Sequence, residues 1–150
     1  MTDVIEKFVR SFDSDIKIEW HDGPIESSIL DKTIYLNIDE FLYKYSDEDT
    51  HLAILKEQGY LLDITLPTFK ILHEMGHVMS PTSLNTLLTY EQSVAEISKL
   101  KEPHRTRAYH ALELERVANR KAYDIYLHHY PRVRALNYLI KESAQCMLSN

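Results

Sequence analysis

The sequence predicts an α+β domain, mainly helical, with a small antiparallel β-sheet ahead of the helix that carries His73-Glu74-Met75-Gly76-His77. Three observations predict it. Period-two alternation of apolar and polar residues occurs only before Asn37. After Asn37, apolar residues recur mostly at helical spacing. Only three Gly and five Pro occur in 150 residues, few enough to suit a helix-rich fold. A chain of this length forms one domain, residues 1–150, with a substantial core.

Each element has its own signal. Ile5, Phe8 and Val9 give the first segment a helical stripe. Ile16-Lys17-Ile18-Glu19-Trp20 alternates as a half-buried strand does, and His21-Asp22-Gly23-Pro24 ends it with turn chemistry. Residues 27–30 and Thr33-Ile34-Tyr35-Leu36-Asn37 form a hairpin with Asp31-Lys32 at the bend. Short helices are expected over 38–45 and 47–55, the second broken by Gln58-Gly59-Tyr60. The pentad helix starts near Pro67 with Thr65 as its cap, runs through Met79 and stops at Ser80-Pro81. Further helices are expected over 90–100 and 105–128, and a last one after Pro131 through Met147.

Composition narrows the function. The net charge of −6 and the lack of a basic stripe argue against direct nucleic-acid binding. Cys146 is the one cysteine, so no disulfide framework exists and a reducing, cytoplasmic location is expected. Its expected role is packing or a tail position. The N-terminal residues lack a basic region followed by an apolar run, so no signal peptide is expected. No apolar run approaches the roughly 18 residues of a membrane span.

The pentad has the form HExxH. Two His four residues apart share one helix face, so two imidazoles can grip one zinc ion while Glu74 serves as the base. The surrounding helix is apolar nearly all round, with Phe69, Leu72, Gly76 and Met79 on one stripe and Ile71, Met75 and Val78 on another. Such a helix is buried. Buried imidazoles need partners, which an ion would satisfy together.

A third ligand must come from elsewhere. The extended form HExxHxxGxxH fails, because Ser80 and Ser83 stand at its Gly and His positions. A Glu on a later helix is the other common solution. Glu115 fits, with Asn119 one turn on to accept a hydrogen bond from the outer ring N–H of a ligand His. The bland alternative is a solvated Glu115 paired with Asn119 or Lys121. Ala118 and Ala122 are small enough to let the two helices lie close. Glu113 is a rival, but Val117 stands four residues beyond it. His104, His110, His128 and His129 are expected mainly at surfaces or helix ends, and Asp124 either backs up Asn119 or faces solvent.

On these residues the chain resembles the ImmA/IrrE family of small metallopeptidases, within the gluzincin-like zincins. The matching stretches are Ile34-Tyr35-Leu36-Asn37, the HExGH form with Gly76, and Glu115, Ala118, Asn119 and Ala122 in the later helix. Lys121 and Val117 depart from the family's usual aromatic and acidic residues. The resemblance implies a zincin-like fold and cleavage of an intracellular protein partner, commonly a helix-turn-helix repressor of a mobile element, phage or stress regulon.

The expected chemistry is hydrolysis of a peptide bond at Zn²⁺ held by His73, His77 and Glu115, with Glu74 as general base and acid. The strand 33–37 is expected to offer an edge to an extended substrate. Tyr109, His110, Tyr123 and Tyr130 are candidates for stabilising the oxyanion, although ordinary packing is the expected role of each. Two alternatives stand beside this: a non-catalytic zinc-binding interaction module of phage or mobile-element origin, and a metal-free helical domain with a chance pentad. The sequence does not separate zinc from manganese or another metal in the cell.

Overall fold

The computed structural model of the chain describes residues 1–43 and 48–150. Helix α1 (Thr2–Phe12) leads into strands β1 (Lys17–Trp20), β2 (Glu26–Ser28) and β3 (Thr33–Leu36). Helices α2 (Asp39–Leu42), α3 (Glu48–Glu57), α4 (Leu66–Met79), α5 (Leu84–Ile97), α6 (His104–Ala111), α7 (Glu113–His128) and α8 (Tyr130–Ser149) follow. The α+β class and the order of elements are as the pattern predicts. The parts of the two expected short helices over 44–47 lie outside the described residues.

The sheet corrects one expectation. It is mixed, not antiparallel, with strand order β1-β3-β2. The hairpin forms: β2 runs antiparallel to β3, with Ser27 opposite Ile34, and Lys32 at its bend takes φ 50°. But β1 pairs parallel to β3, with Ile18 opposite Ile34. The chain leaves β1, passes the vacant position and enters β2 on the far side, so that β3 returns between them. Thr33–Leu36 is therefore the central strand, with Ile34 and Leu36 fully buried, and β2 is an edge.

Two helix expectations also change. Residues 105–128 are not one helix: Leu112 adopts φ −63° and ψ 143°, separating α6 from α7. The helix expected over 90–100 begins at Leu84, where Ser83 caps it by accepting a hydrogen bond from the Thr86 N–H at 3.2 Å. No residue of α5 is buried. Residues Leu84 and Leu88 on it stay exposed.

Helix α4 is the axis of the fold, buried from Phe69 through Val78 apart from Lys70. Phe69, Ile71, Leu72 and Met75 are almost wholly sequestered. Each such side chain contributes about 1.5–3 kcal/mol on leaving water. This stabilisation holds α4 in the centre even though Thr68, His73, Glu74 and His77 go in with it. Helix α7 packs along α4, the sheet lies against it through β2 and β3, and α8 closes the far side. On that side Asn137 accepts from the Thr65 N–H (3.0 Å), Thr65 Oγ1 (3.0 Å) and Thr68 Oγ1 (2.7 Å). Thr65 thus holds the start of α4 through α8 rather than by a side-chain cap. Trp20 Nε1 donates to Glu6 at 2.9 Å and ties β1 to α1. Among the described residues no helix is long and apolar enough to cross a membrane.

Candidate metal centre

The helical repeat sets His73 and His77 one turn apart on α4, ring centroids 4.7 Å apart and nearly perpendicular. Gly76, between them, lies directly against the Ala118 backbone of α7. Glu115 enters from the first turn of α7, 0 % exposed. Its carboxylate meets both rings: Oε2 lies 2.8 Å from His73 Nε2 and Oε1 lies 3.0 Å from His77 Nε2. The solvated alternative for Glu115 is thereby set aside. Its rival Glu113 is exposed, as are Asp124, His104 and His128, while His129 packs edge-on against Phe12.

Charge follows from this packing. Burial works against the His73 imidazolium, but the Glu115 carboxylate beside it outweighs that and raises the pKa to about 9. Burial also works against the Glu115 anion, yet the two rings hold its pKa well below the usual carboxylate range. Glu74 is different. Burial raises its pKa, the neighbouring rings only partly offsetting this. The Ser27 hydroxyl on β2 donates to Glu74 Oε2 at 2.5 Å.

The residues fit a divalent cation. Two imidazoles and a carboxylate offer ligand atoms within 4.8 Å of one another. His77 Nδ1 is buried without a hydrogen-bond partner, at a cost of about 1–3 kcal/mol. The His73 ring is oriented from behind by Asn119, whose Oδ1 lies 2.7 Å from Nδ1. That is the contact the spacing of Glu115 and Asn119 predicts. Tetrahedral bonds of about 2.0–2.1 Å put ligand atoms roughly 3.4 Å apart, so the present nitrogen–oxygen pairs are a few tenths of an ångström tight.

A cavity of about 280 Å³ opens beside this cluster, lined by Ile25, Ser27, Glu74, His77, Tyr90 and Tyr109 among others. Two of its residues sharpen the expectation about tyrosines. Tyr109, from α6, is the one of the four candidates that lines this cavity. Tyr90, from α5, was not foreseen: its hydroxyl donates to Glu115 Oε1 at 2.5 Å and lies 3.3 Å from the Tyr109 oxygen. Tyr90 has one proton, and the short bond to the carboxylate takes it. Tyr109 is then the donor between the two phenols. Burial and the Glu115 charge raise both phenol pKa values, so both remain protonated donors.

The other oxyanion candidates lie elsewhere. Tyr123 and Tyr130 belong to an aromatic group with Tyr60 and Tyr126, and Tyr130 donates to Asp63 at 2.6 Å. His110 is not at a surface but buried behind Asn119, on the far side of His73 from Glu115. Ser27, Tyr90 and His51 were not singled out. Nothing local marks them, because their roles arise from contacts across 25 or more residues, 47 for Ser27 and Glu74.

Comparison of the chain with family models, with curated proteins and with solved structures finds no match.

Proposed function

We propose that this chain is a zinc-dependent endopeptidase of zincin-like architecture, acting on a protein substrate in the cytoplasm. The observation that carries the proposal is the convergence of His73 Nε2 and His77 Nε2 on one buried Glu115 carboxylate, with Glu74 of the same helix on the adjoining cavity. The pentad alone is compatible with chance. A buried carboxylate from a distant helix completing it is what a metal centre requires and a packed core does not. The resemblance to ImmA/IrrE peptidases points to a repressor of a mobile element or stress regulon as substrate. The single cysteine, Cys146, is exposed on α8 and suits a reducing compartment.

What a bound ion supplies is Lewis acidity, which lowers the pKa of a water from about 15.7 toward about 7 and polarises the scissile carbonyl. The remaining steps belong to side chains. Glu74 takes the proton of the attacking water and delivers it to the leaving amine. Ser27 engages one oxygen of Glu74 and restricts the carboxylate's rotation. Tyr109 borders the cavity as a neutral O–H donor for the developing oxyanion, whereas the one proton of Tyr90 is committed to Glu115. The sheet edge beside the cavity is β2, not the strand 33–37, whose hydrogen bonds are taken on both sides.

The test is direct. Purified protein should hold about one zinc by elemental analysis, and His77→Ala or Glu115→Ala should lose it. Glu74→Gln should keep the metal and lose cleavage of co-expressed neighbouring-gene proteins, read by mass spectrometry of fragments. Undiminished cleavage by Glu74→Gln would rule the mechanism out.

A further inference from the structure

Behind the His73, His77 and Glu115 cluster, polar side chains continue in a file that metal ligation does not by itself require. Asn119, 0 % exposed, touches His73 with Oδ1 and brings Nδ2 to 3.1 Å from His110 Nδ1. His110 Nε2 in turn lies 2.9 Å from Nδ1 of His51. Helices α4, α7, α6 and α3 each contribute one member. The file runs from the buried cluster to the half-buried His51.

Protons along this file are not independent. An amide oxygen only accepts and an amide nitrogen only donates. With Asn119 as it stands, His73 must carry a proton on Nδ1, and His110 must present a bare Nδ1. A neutral His110 then has its proton on Nε2 and donates it to His51. Turning the Asn119 amide over reverses every bond. His73 Nδ1 would be bare, and a neutral ring would carry its proton on Nε2, the atom facing Glu115. That tautomer has no lone pair for a cation. A neutral His110 is also what its surroundings favour, since burial first and the neighbouring His51 second lower its pKa to about 4.

We propose that His110 and His51 are positioning residues for the cation site. They give the Asn119 Nδ2 its buried acceptor and so hold the amide with Oδ1 on His73, where it keeps the proton on Nδ1 and leaves Nε2 for a divalent ion. The proposal rests on the metal-centre reading and extends it two side chains beyond Asn119.

The experiment uses the full chain, Zn²⁺ alone as probe, and the variants His110→Leu, His110→Gln and His51→Leu. Gln retains an acceptor for Asn119 Nδ2 and a donor for His51; Leu retains neither. In His110→Leu, Zn²⁺ affinity by chelator competition should fall roughly 10- to 100-fold, with His110→Gln recovering most of it and His51→Leu losing a smaller factor. In ion-free protein, ¹⁵N NMR should show a His73 Nδ1 proton protected from exchange in the wild type and His110→Gln, but not in His110→Leu. Should His110→Leu fail to fold, His51→Leu at the half-buried end carries both measurements. Wild-type affinity and wild-type protection in the folded Leu variants overturn the proposal. Wild-type protein that takes up no Zn²⁺, yet loses the protected proton in the Leu variants, sinks the metal reading and supports the orienting role.

Discussion

A β-carbon added at Gly76 would lie 2.7 Å from the Ala118 carbonyl oxygen and 3.1 Å from the Ala118 Cα. Helices α4 and α7 therefore meet backbone to backbone beside the pair His77 and Glu115. A side-chain tip can swing away from such a contact; a helix backbone cannot. Gly76→Ala gains about 1 kcal/mol of helix propensity, but overpacking against fixed backbone costs up to about 3 kcal/mol. The expected net loss is about 2 kcal/mol in urea unfolding, together with weakened Zn²⁺ uptake, because Glu115 moves with Ala118. A wild-type midpoint and wild-type uptake would show that the helices have slack.

Tyr109 borders the cavity that Glu74 and His77 line, and its hydroxyl remains protonated. Under the proposed hydrolysis it donates to the oxyanion and touches no metal ligand by hydrogen bond. Tyr109→Phe is expected to keep a full zinc content while kcat falls about 10²–10³-fold, the range for loss of one preorganised donor. Tyr90→Phe removes a hydrogen bond to Glu115 as well, so its zinc affinity should change too. Cleavage by Tyr109→Phe at close to the wild-type rate would assign the oxyanion to another group.

What the sequence made legible was whatever is encoded locally. Helix α4 is apolar on all faces, so its burial follows from its own residues. Glu115 and Asn119 lie one turn apart, and that both face His73 of α4 follows from helical spacing. The parallel pairing of β1 with β3 does not follow from either strand, because the chain skips a position that a later segment fills. Leu112 breaks a helix with neither Gly nor Pro nearby, and only the packing of α6 on α3 and α7 shows why the chain turns there. Helix α5 was foreseen only from Tyr90 onward, although Leu84, Leu87 and Leu88 precede it; none of its residues is buried, so no core-facing stripe marks its start. Ser27, Tyr90 and His51 join the site through tertiary contacts that no periodicity announces.

Asn137 serves the start of α4 from α8. Its Oδ1 takes three hydrogen bonds, from the Thr65 N–H and from the hydroxyls of Thr65 and Thr68. Each contributes a net of about 1 kcal/mol, and Thr68 is fully buried and would be left unsatisfied. Asn137→Ala is expected to cost about 2–4 kcal/mol in urea unfolding. Since Thr65 and Thr68 lie more than a full turn before His73, zinc stoichiometry should stay unchanged. A loss under about 0.5 kcal/mol would mean that water replaces the amide at no net cost.

Asp63 makes stability depend on acid. Tyr130 donates to its Oδ2 at 2.6 Å and Tyr126 to its Oδ1 at 2.7 Å, joining the loop before α4 to α7 and α8. The Tyr130 bond first and the Tyr126 bond second hold the Asp63 pKa below its ordinary value, with burial opposing and Arg134 assisting. The folded state thus favours the anion more than the unfolded chain does. The stabilisation is present above the unfolded pKa of about 3.9 and is lost as pH falls through the lower folded value. Its side chain is 47 % exposed, so solvent screening keeps the effect small. Asp63→Asn should therefore be less stable than the wild type at pH 7, with the gap between their urea midpoints narrowing as pH drops from about 5 to about 3. A gap that stays constant over that interval would show that the two tyrosines bind the amide as well as the carboxylate.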